Sequence, residues 1–390
     1  MVQMKKRDTE KRCCAGRSTE WQGVRTINPP VYNGSTVLFD SFEDIVEIAS
    51  GQYEGIAYGT DRLPTQRAFE EHLSQLEGGA VTRAFQSGIS AITSVLQAFT
   101  RSGDHILLCE NVYGPTATFC KKILSKYAIE VDFLPASIGA DIVHWIKPNT
   151  RLVFMESPGS NTFEIQDIPA ITAITAPKGI ITVLDNTWAT PLFLNPFNLG
   201  VDVIIHSVTK YISGHSDVLL GSATINEKWS EEFLDYYTTM ELFAPSQECY
   251  LALRGLKTLA VRLRQHEKSA LTVARWLEEQ PLVGSVIHPA LTSHPQHQIW
   301  KRDFSGSSGL FAFSFAVDYP QEVIADFVNS LEMFGIGFSW GGFMSLVTAG
   351  KYSRIGVPTE SEKYTIRLNV GLEETDDLIE DIKSSFERMV

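Results

Sequence analysis

The sequence predicts a mostly parallel α/β protein with a smaller α/β unit behind it. Three observations lead there. Apolar, β-branched runs at 180–184 and 201–205 read as buried strands, and each ends in polar residues. Stretches with apolar residues at helical spacing lie between such runs, so strands and helices alternate as they do when helices cover a parallel sheet. At 390 residues the chain exceeds one typical core, and its composition changes after Ile225.

Taken in order, residues up to about 56 read as irregular or short-helical, with Asn28-Pro29-Pro30 as a breaker and one short helix at 42–48. Phe69, Leu73 and Leu76 recur at helical spacing, and Gly78-Gly79 closes that helix. Gln86-Ser87-Gly88-Ile89-Ser90 opens another, with Ile92, Val95, Leu96 and Phe99 on its apolar side. Strands are expected at 105–109, 129–134 and 151–155. One or two long helices fill 248–279, with Arg254, Arg262 and Arg264 expected on exposed faces. Residues 310–317 alternate with period two, as a half-buried strand does. A helix at 323–334, strands at 336–340, 344–348 and 365–370, and a last helix with Leu378, Ile379, Ile382 and Phe386 inward complete a smaller domain with an antiparallel sheet. The domain boundary is expected near residue 250.

Composition narrows the function. A hydrophobic content of 44% and a charged content of 20% describe a soluble globular chain. The net charge of −13 argues against nonspecific nucleic-acid binding. Five scattered cysteines form neither a disulfide framework nor a zinc pattern, so no metal is expected. Cys109 reads as core, whereas Cys13 and Cys14 read as exposed thiols in a polar tail. That tail carries Lys5, Lys6, Arg7, Lys11 and Arg12 without an apolar run behind them, which is not a secretory signal. No apolar stretch is long enough to span a bilayer, and the expected location is the cytoplasm.

Chemistry concentrates at strand ends. Val203-Ile204-Ile205-His206-Ser207-Val208-Thr209-Lys210 puts one lysine just past a buried strand. Desolvation there disfavours the ammonium form and makes the amine nucleophilic, as a Schiff-base lysine must be. On its own the position equally suits a snorkelling lysine. The preceding strand ends in Asp185, 25 residues earlier, enough for one crossover between parallel neighbours. Asp185 alone suits a helix cap or an Asx turn. The pair suits pyridoxal phosphate, whose ring nitrogen needs an acid to keep it protonated. Ser157 marks a third polar strand end, and open parallel sheets bind ligands along that edge.

Asp185-Asn186-Thr187-Trp188-Ala189 and Ser207-Val208-Thr209-Lys210-Tyr211-Ile212-Ser213-Gly214-His215 resemble the signature of the Cys/Met-metabolism pyridoxal-phosphate enzymes. The likeness runs from about Tyr58 to the C-terminus and is nearest to the bacterial cystathionine β-lyases. It implies an aspartate aminotransferase-like fold of type I, with a mostly parallel seven-stranded sheet. The parts would be an N-terminal arm at 1–57, a cofactor-binding domain at 58–250 and a small domain at 251–390.

The resemblance also implies roles. Lys210 holds pyridoxal 5'-phosphate and, once released, acts as base and acid, while Asp185 faces the ring nitrogen. Tyr113 stacks on the ring. The phosphate rests on Gly88 and Ile89, on the hydroxyls of Ser207 and Thr209, and on Tyr58 reaching in from a neighbouring subunit. The family's phosphate-binding arginine is replaced by Thr60, with Arg62 two residues on. Arg367 takes the substrate α-carboxylate, and Ser339, Trp340, Ser157 and Asn161 line the substrate side. Trp340 lies in Ser339-Trp340-Gly341-Gly342, where tryptophan marks β-lyases and leucine the γ-enzymes. The implied reaction is β-elimination of an amino-acid thioether, L-cystathionine, to L-homocysteine, pyruvate and ammonia, in a homotetramer with shared sites. A γ-synthase or γ-lyase, alanine racemisation as a side activity, and a cofactor-free α/β binding protein are the competing readings.

Overall fold

The structure, a computed structural model, describes residues 6–14, 19–21, 24–352 and 363–389. Lys5 of the basic run lies outside the described residues. The chain opens with α1 (Lys6–Cys14), a two-stranded ribbon of β1 (Thr19–Trp21) and β2 (Val24–Thr26), and α2 (Phe42–Ala49). Then come α3 (Pro64–Glu77), β3 (Val81–Phe85), α4 (Gly88–Phe99), β4 (His105–Cys109), α5 (Gly114–Lys122), β5 (Glu130–Leu134) and β6 (Thr150–Glu156). The next elements are α6 (Ile168–Thr175), β7 (Ile181–Asp185), α7 (Thr190–Phe193), β8 (Val203–Ser207), β9 (Gly221–Ile225) and α8 (Ser230–Thr239).

Strands β3 to β9 form a seven-stranded sheet in the order β3-β9-β8-β7-β6-β4-β5. The strands from β8 across to β5 run parallel, and β9 is reversed between β8 and β3. Val203, Ile204 and Ile205 are fully buried, worth roughly 1.5–3 kcal/mol each as burial of branched side chains. Because neighbours are parallel, the ends of β6, β7 and β8 share one edge, and Glu156 lies in register with Asp185.

The long helix α9 (Ser246–Glu278) is continuous, so the boundary expected near residue 250 falls inside its first turns. Beyond it, β10 (Val283–Ile287), α10 (His297–Asp303), β11 (Leu310–Phe315), α11 (Gln321–Ser330), β12 (Gly335–Ile336), β13 (Leu346–Gly350), β14 (Thr365–Asn369) and α12 (Thr375–Glu387) follow. Their five-stranded sheet has the order β10-β11-β14-β13-β12 and is antiparallel except between β12 and β13. Phe313, Phe327 and Phe386 meet in its core.

Several expectations are corrected. β11 is buried on nearly every residue, because helices and the large unit cover both its faces; its alternation does not mark a wet side. The strand expected at 336–340 stops at Ile336, since Ser339 and Gly341 both take a φ of +84°. Cys13 is fully buried and only Cys14 is exposed, because α1 folds back on its own chain. There Arg12 donates to the Gln75 carbonyl and Arg264 pairs with Glu10 at 2.7 Å. Burial pushes the Cys13 thiol up to about 12.

Arg262 is the largest correction. It is 6% exposed, and its guanidinium donates to the carbonyls of Tyr211 at 2.8 Å and Gly255 at 2.9 Å. It therefore ties α9 to the segment that follows Lys210. Arg262→Met is expected to remove the donor on the Tyr211 carbonyl and to cost about 1–3 kcal/mol. The check is a lower urea midpoint with an unchanged slope.

Candidate active site

The shared edge of the large sheet opens into a cavity of about 580 Å³ that also takes in the small unit. Lys210, Asp185, Tyr113 and Arg367 all line it. Lys210 follows β8 in a turn, and its Nζ donates to Ser339 Oγ at 2.6 Å and stands 5.3 Å from the centre of the Trp340 ring. Burial, with the Arg367 cation next, lowers its pKa from the usual 10.5 to about 8, against the pull of Asp185. Gly341 permits this approach: a Cβ there would lie 2.8 Å from the Tyr211 nitrogen and 2.9 Å from the Lys210 carbonyl carbon.

Asp185 ends β7 and is 8% exposed. Its Oδ1 accepts the backbone N–H of Thr187 at 3.0 Å and also the Thr187 hydroxyl. Burial raises its pKa, while Thr187, His206 and Lys210 oppose that. Glu156, one strand away, also lines the cavity; its Oε2 accepts the Tyr113 N–H at 2.7 Å. Burial and the Asp185 charge push Glu156 up to about 8.

A second wall forms where α4 begins. Ser87 caps the helix, its hydroxyl accepting from the Ser90 N–H at 3.2 Å. The first helical N–H groups, at Gly88 and Ile89, are left pointing out of the helix, as an anion site needs. A Cβ on Gly88 would lie 2.8 Å from Ser207 Cβ, so only glycine lets the helix start lie against β8. Ser207 and Thr209 line the same wall, and the Thr209 hydroxyl is bonded to the Leu220 backbone.

The third wall carries Arg367, Asn161 and Tyr352. Arg367 lies mid-strand in β14 and donates to Asn161 Oδ1 at 3.2 Å. Trp340 closes the wall, its ring 5.4 Å from that of Tyr211.

Two expected site residues lie elsewhere. Ser157 is 1% exposed, and its Oγ accepts the Gln166 N–H at 3.0 Å, so it props the loop from behind and does not line the cavity. Tyr58 is half exposed and lies outside this chain's own cavity. Arg62 is also outside it, paired through Nε with the buried Glu70 at 2.7 Å. Sequence reasoning missed Glu156, Thr187 and Tyr352. Glu156 and Thr187 stand in the strand-end motifs that signalled the site, but nothing local marks Tyr352.

The cavity suits a flat, anionic cofactor: a buried acid faces a buried lysine, an aromatic flanks them, and a helix start offers N–H groups. Comparison with known proteins agrees. The family model "Cys/Met metabolism PLP-dependent enzyme" matches residues 13–387. Cystathionine beta-lyase MetC of Escherichia coli (strain K12) is 39% identical over 96% of this chain and 97% of its own length. L-alanine/L-glutamate racemase of Wolbachia pipientis wMel is 36% identical over 96% of each chain. The crystal structure of metB from Corynebacterium glutamicum is 28% identical, with a TM-score of 0.89 over 100% of this chain and 99% of that chain.

Proposed function

The chain belongs to the Cys/Met-metabolism PLP-dependent enzyme family, and we infer that it acts as a cystathionine β-lyase. It cleaves the Cβ–S bond of L-cystathionine to give L-homocysteine, pyruvate and ammonia, a step of methionine biosynthesis. The observation that carries this is near full-length identity to cystathionine β-lyases, 39% for the Escherichia coli protein. The Trp340 ring closing the cavity beside Lys210 supports it.

The cofactor is pyridoxal 5'-phosphate. When bound, it supplies an electron sink for the charge that develops at Cα. The Lys210 amine removes the Cα proton and passes a proton to the departing thiolate. Ser339, hydrogen-bonded to Nζ, orients that amine. The Asp185 carboxylate holds the proton on the ring nitrogen, with its own orientation fixed by Thr187. Tyr113, which lines the cavity, would flank the ring. Gly88, Ile89, Ser207 and Thr209 would hold the phosphate through N–H and hydroxyl groups, and Tyr58 would add to them from a neighbouring subunit.

Arg367 grips the substrate α-carboxylate, with Asn161 steadying the guanidinium. Arg367→Ala is expected to lower kcat/KM for cystathionine by ~10²-fold or more, mostly through KM, as loss of a desolvated charge pair does. Steady-state kinetics check this.

A neutral amine is the reactive form of Lys210, so pH sets how fast cofactor-free enzyme takes up pyridoxal phosphate. With the lysine near 8, the uptake rate is expected to rise about tenfold per pH unit below that value and to level above it. A lysine of ordinary pKa would keep accelerating to 10.5. Stopped-flow absorbance separates the two.

The assembly is a homotetramer with shared sites. The arm supports this, because Ile27, Leu38 and Phe42 expose 71–89% of their surface. The chain divides into an arm at 1–57, a cofactor domain at 58–250 and a small domain at 251–390. Its location is the cytoplasm; five free cysteines fit a reducing compartment. Among the described residues no helix is long and apolar enough to cross a membrane.

Product analysis tests the activity. Cystathionine should yield pyruvate and homocysteine; 2-oxobutyrate as the main keto acid would move the enzyme to the γ-class. The racemase relative makes L-alanine a second substrate to assay. Racemisation faster than pyruvate release would replace the β-lyase reading.

A further inference from the structure

Glu156 is given no part in the reading above, yet it touches more of the site than any other acid there. Its Oε2 accepts the N–H of Tyr113, the residue that opens α5, at 2.7 Å. Its Oε1 accepts the Ser160 hydroxyl at 2.5 Å, in the loop that presents Asn161 to Arg367. Its own strand holds it in register with Asp185 on β7, and both carboxyls face the cavity.

We propose that Glu156 is a positioning residue: as a neutral carboxylic acid it locks the Tyr113 loop and the 157–161 loop to the strand ends that carry Asp185. The proposal deepens the cofactor reading and rests on it. Two carboxyls on adjacent strands in a water-poor site cannot both ionise cheaply, so the pair keeps one proton. Each acid accepts two hydrogen bonds, but Lys210 and His206 act on Asp185 to favour its charged form, so Asp185 is the one that ionises. The charge acting on Glu156 is that of Asp185 from β7. On the β4 side stand the Cys109 thiol, kept neutral by burial, and Glu110 next to it, while Glu164 lies in the loop that follows β6. The Tyr113 phenol belongs to the third element against it. None of these groups is a cation. A proton on Glu156 therefore leaves Asp185 charged for the ring nitrogen; Oε2 still accepts the Tyr113 N–H, and the proton on Oε1 is donated to the Ser160 hydroxyl oxygen, whose own hydrogen turns away.

Glutamine matches this neutral form in shape and charge, whereas alanine removes both contacts. The test compares wild type, Glu156→Gln and Glu156→Ala as holoenzymes, reading kcat for cystathionine and the visible circular dichroism of the bound cofactor against pH. Glu156→Gln should keep kcat within about threefold and the wild-type band. Glu156→Ala should lose about 10²-fold in kcat and most of the band, as a misplaced site does. Wild type should show an alkaline change in the band that Glu156→Gln lacks. The proposal is overturned if Glu156→Gln is as impaired as Glu156→Ala, if Glu156→Ala matches wild type, or if the alkaline change persists in Glu156→Gln. The last outcome decides even should Glu156→Ala fail to fold. A wild type without a cofactor band would instead sink the cofactor reading itself, and one with the band but without pyruvate release would sink only the β-lyase reading.

Discussion

Lys210→Ala is expected to lower pyruvate release from cystathionine by roughly 10⁴-fold or more, with a far-UV spectrum like that of wild type. General acid–base catalysis by one placed group contributes typically ~10²–10⁴. Lys210 is also the nucleophile that anchors the cofactor, so a second loss adds to the first. The fold should tolerate the change. The backbone N–H of Lys210 donates to Ser207 and its carbonyl accepts from Gly214, and both bonds survive in alanine. Removing the side chain also takes away a desolvated amine that lies in the field of Arg367. Compared in the cofactor-free form, where bound cofactor adds no stability to wild type, thermal stability should therefore hold or rise slightly while activity vanishes. That combination separates a chemical role from a structural one. Ser339→Ala offers a graded control, because it removes only the hydroxyl that receives the Nζ–H bond.

Asp185→Asn should be the second most damaging substitution, with kcat down by about 10²–10³-fold. Asparagine is nearly isosteric, and its Oδ1 can still accept the Thr187 N–H. What disappears is the negative charge beside the ring nitrogen, and with it the reason for that nitrogen to keep its proton. KM should change little, since Arg367 and Asn161 lie on another wall. A loss confined to KM would argue that Asp185 acts on substrate rather than cofactor. Asp185→Asn also removes the like charge beside Glu156, so the rise in the Glu156 pKa should relax in the same variant.

Much of this was legible in the sequence because strand ends announce themselves. β7 and β8 are largely apolar up to Leu184 and Ile205, and Asp185, Thr187, Ser207, Thr209 and Lys210 among the residues that follow line the cavity. Ser87-Gly88-Ile89 was legible for a similar reason: a cap residue followed by glycine needs no tertiary information. Residues whose partners are distant in sequence were not legible. Arg262 sits at helical spacing on what reads as a polar face, but its carbonyl partner on Tyr211 is 51 residues away. Cys13 looked exposed because nothing local says that α1 folds back onto α9. Glu156 was visible as the start of Glu-Ser-Pro, yet its partner is a main-chain N–H 43 residues earlier, and a main-chain partner leaves no trace in side-chain pattern. Ser157 erred the other way: it follows the last residue of β6, and its hydroxyl is taken up behind the loop by the Gln166 N–H, a main-chain partner nine residues on that nothing in the local pattern announces.

The account stands on one lysine carrying the cofactor opposite one acid. Purified enzyme reduced with borohydride, digested and sequenced by mass spectrometry tests it most directly. The reduced pyridoxyl group should be found on the peptide containing Lys210, and Lys210→Ala should carry none. A pyridoxyl group on any other lysine, or a wild-type digest without one, would contradict it.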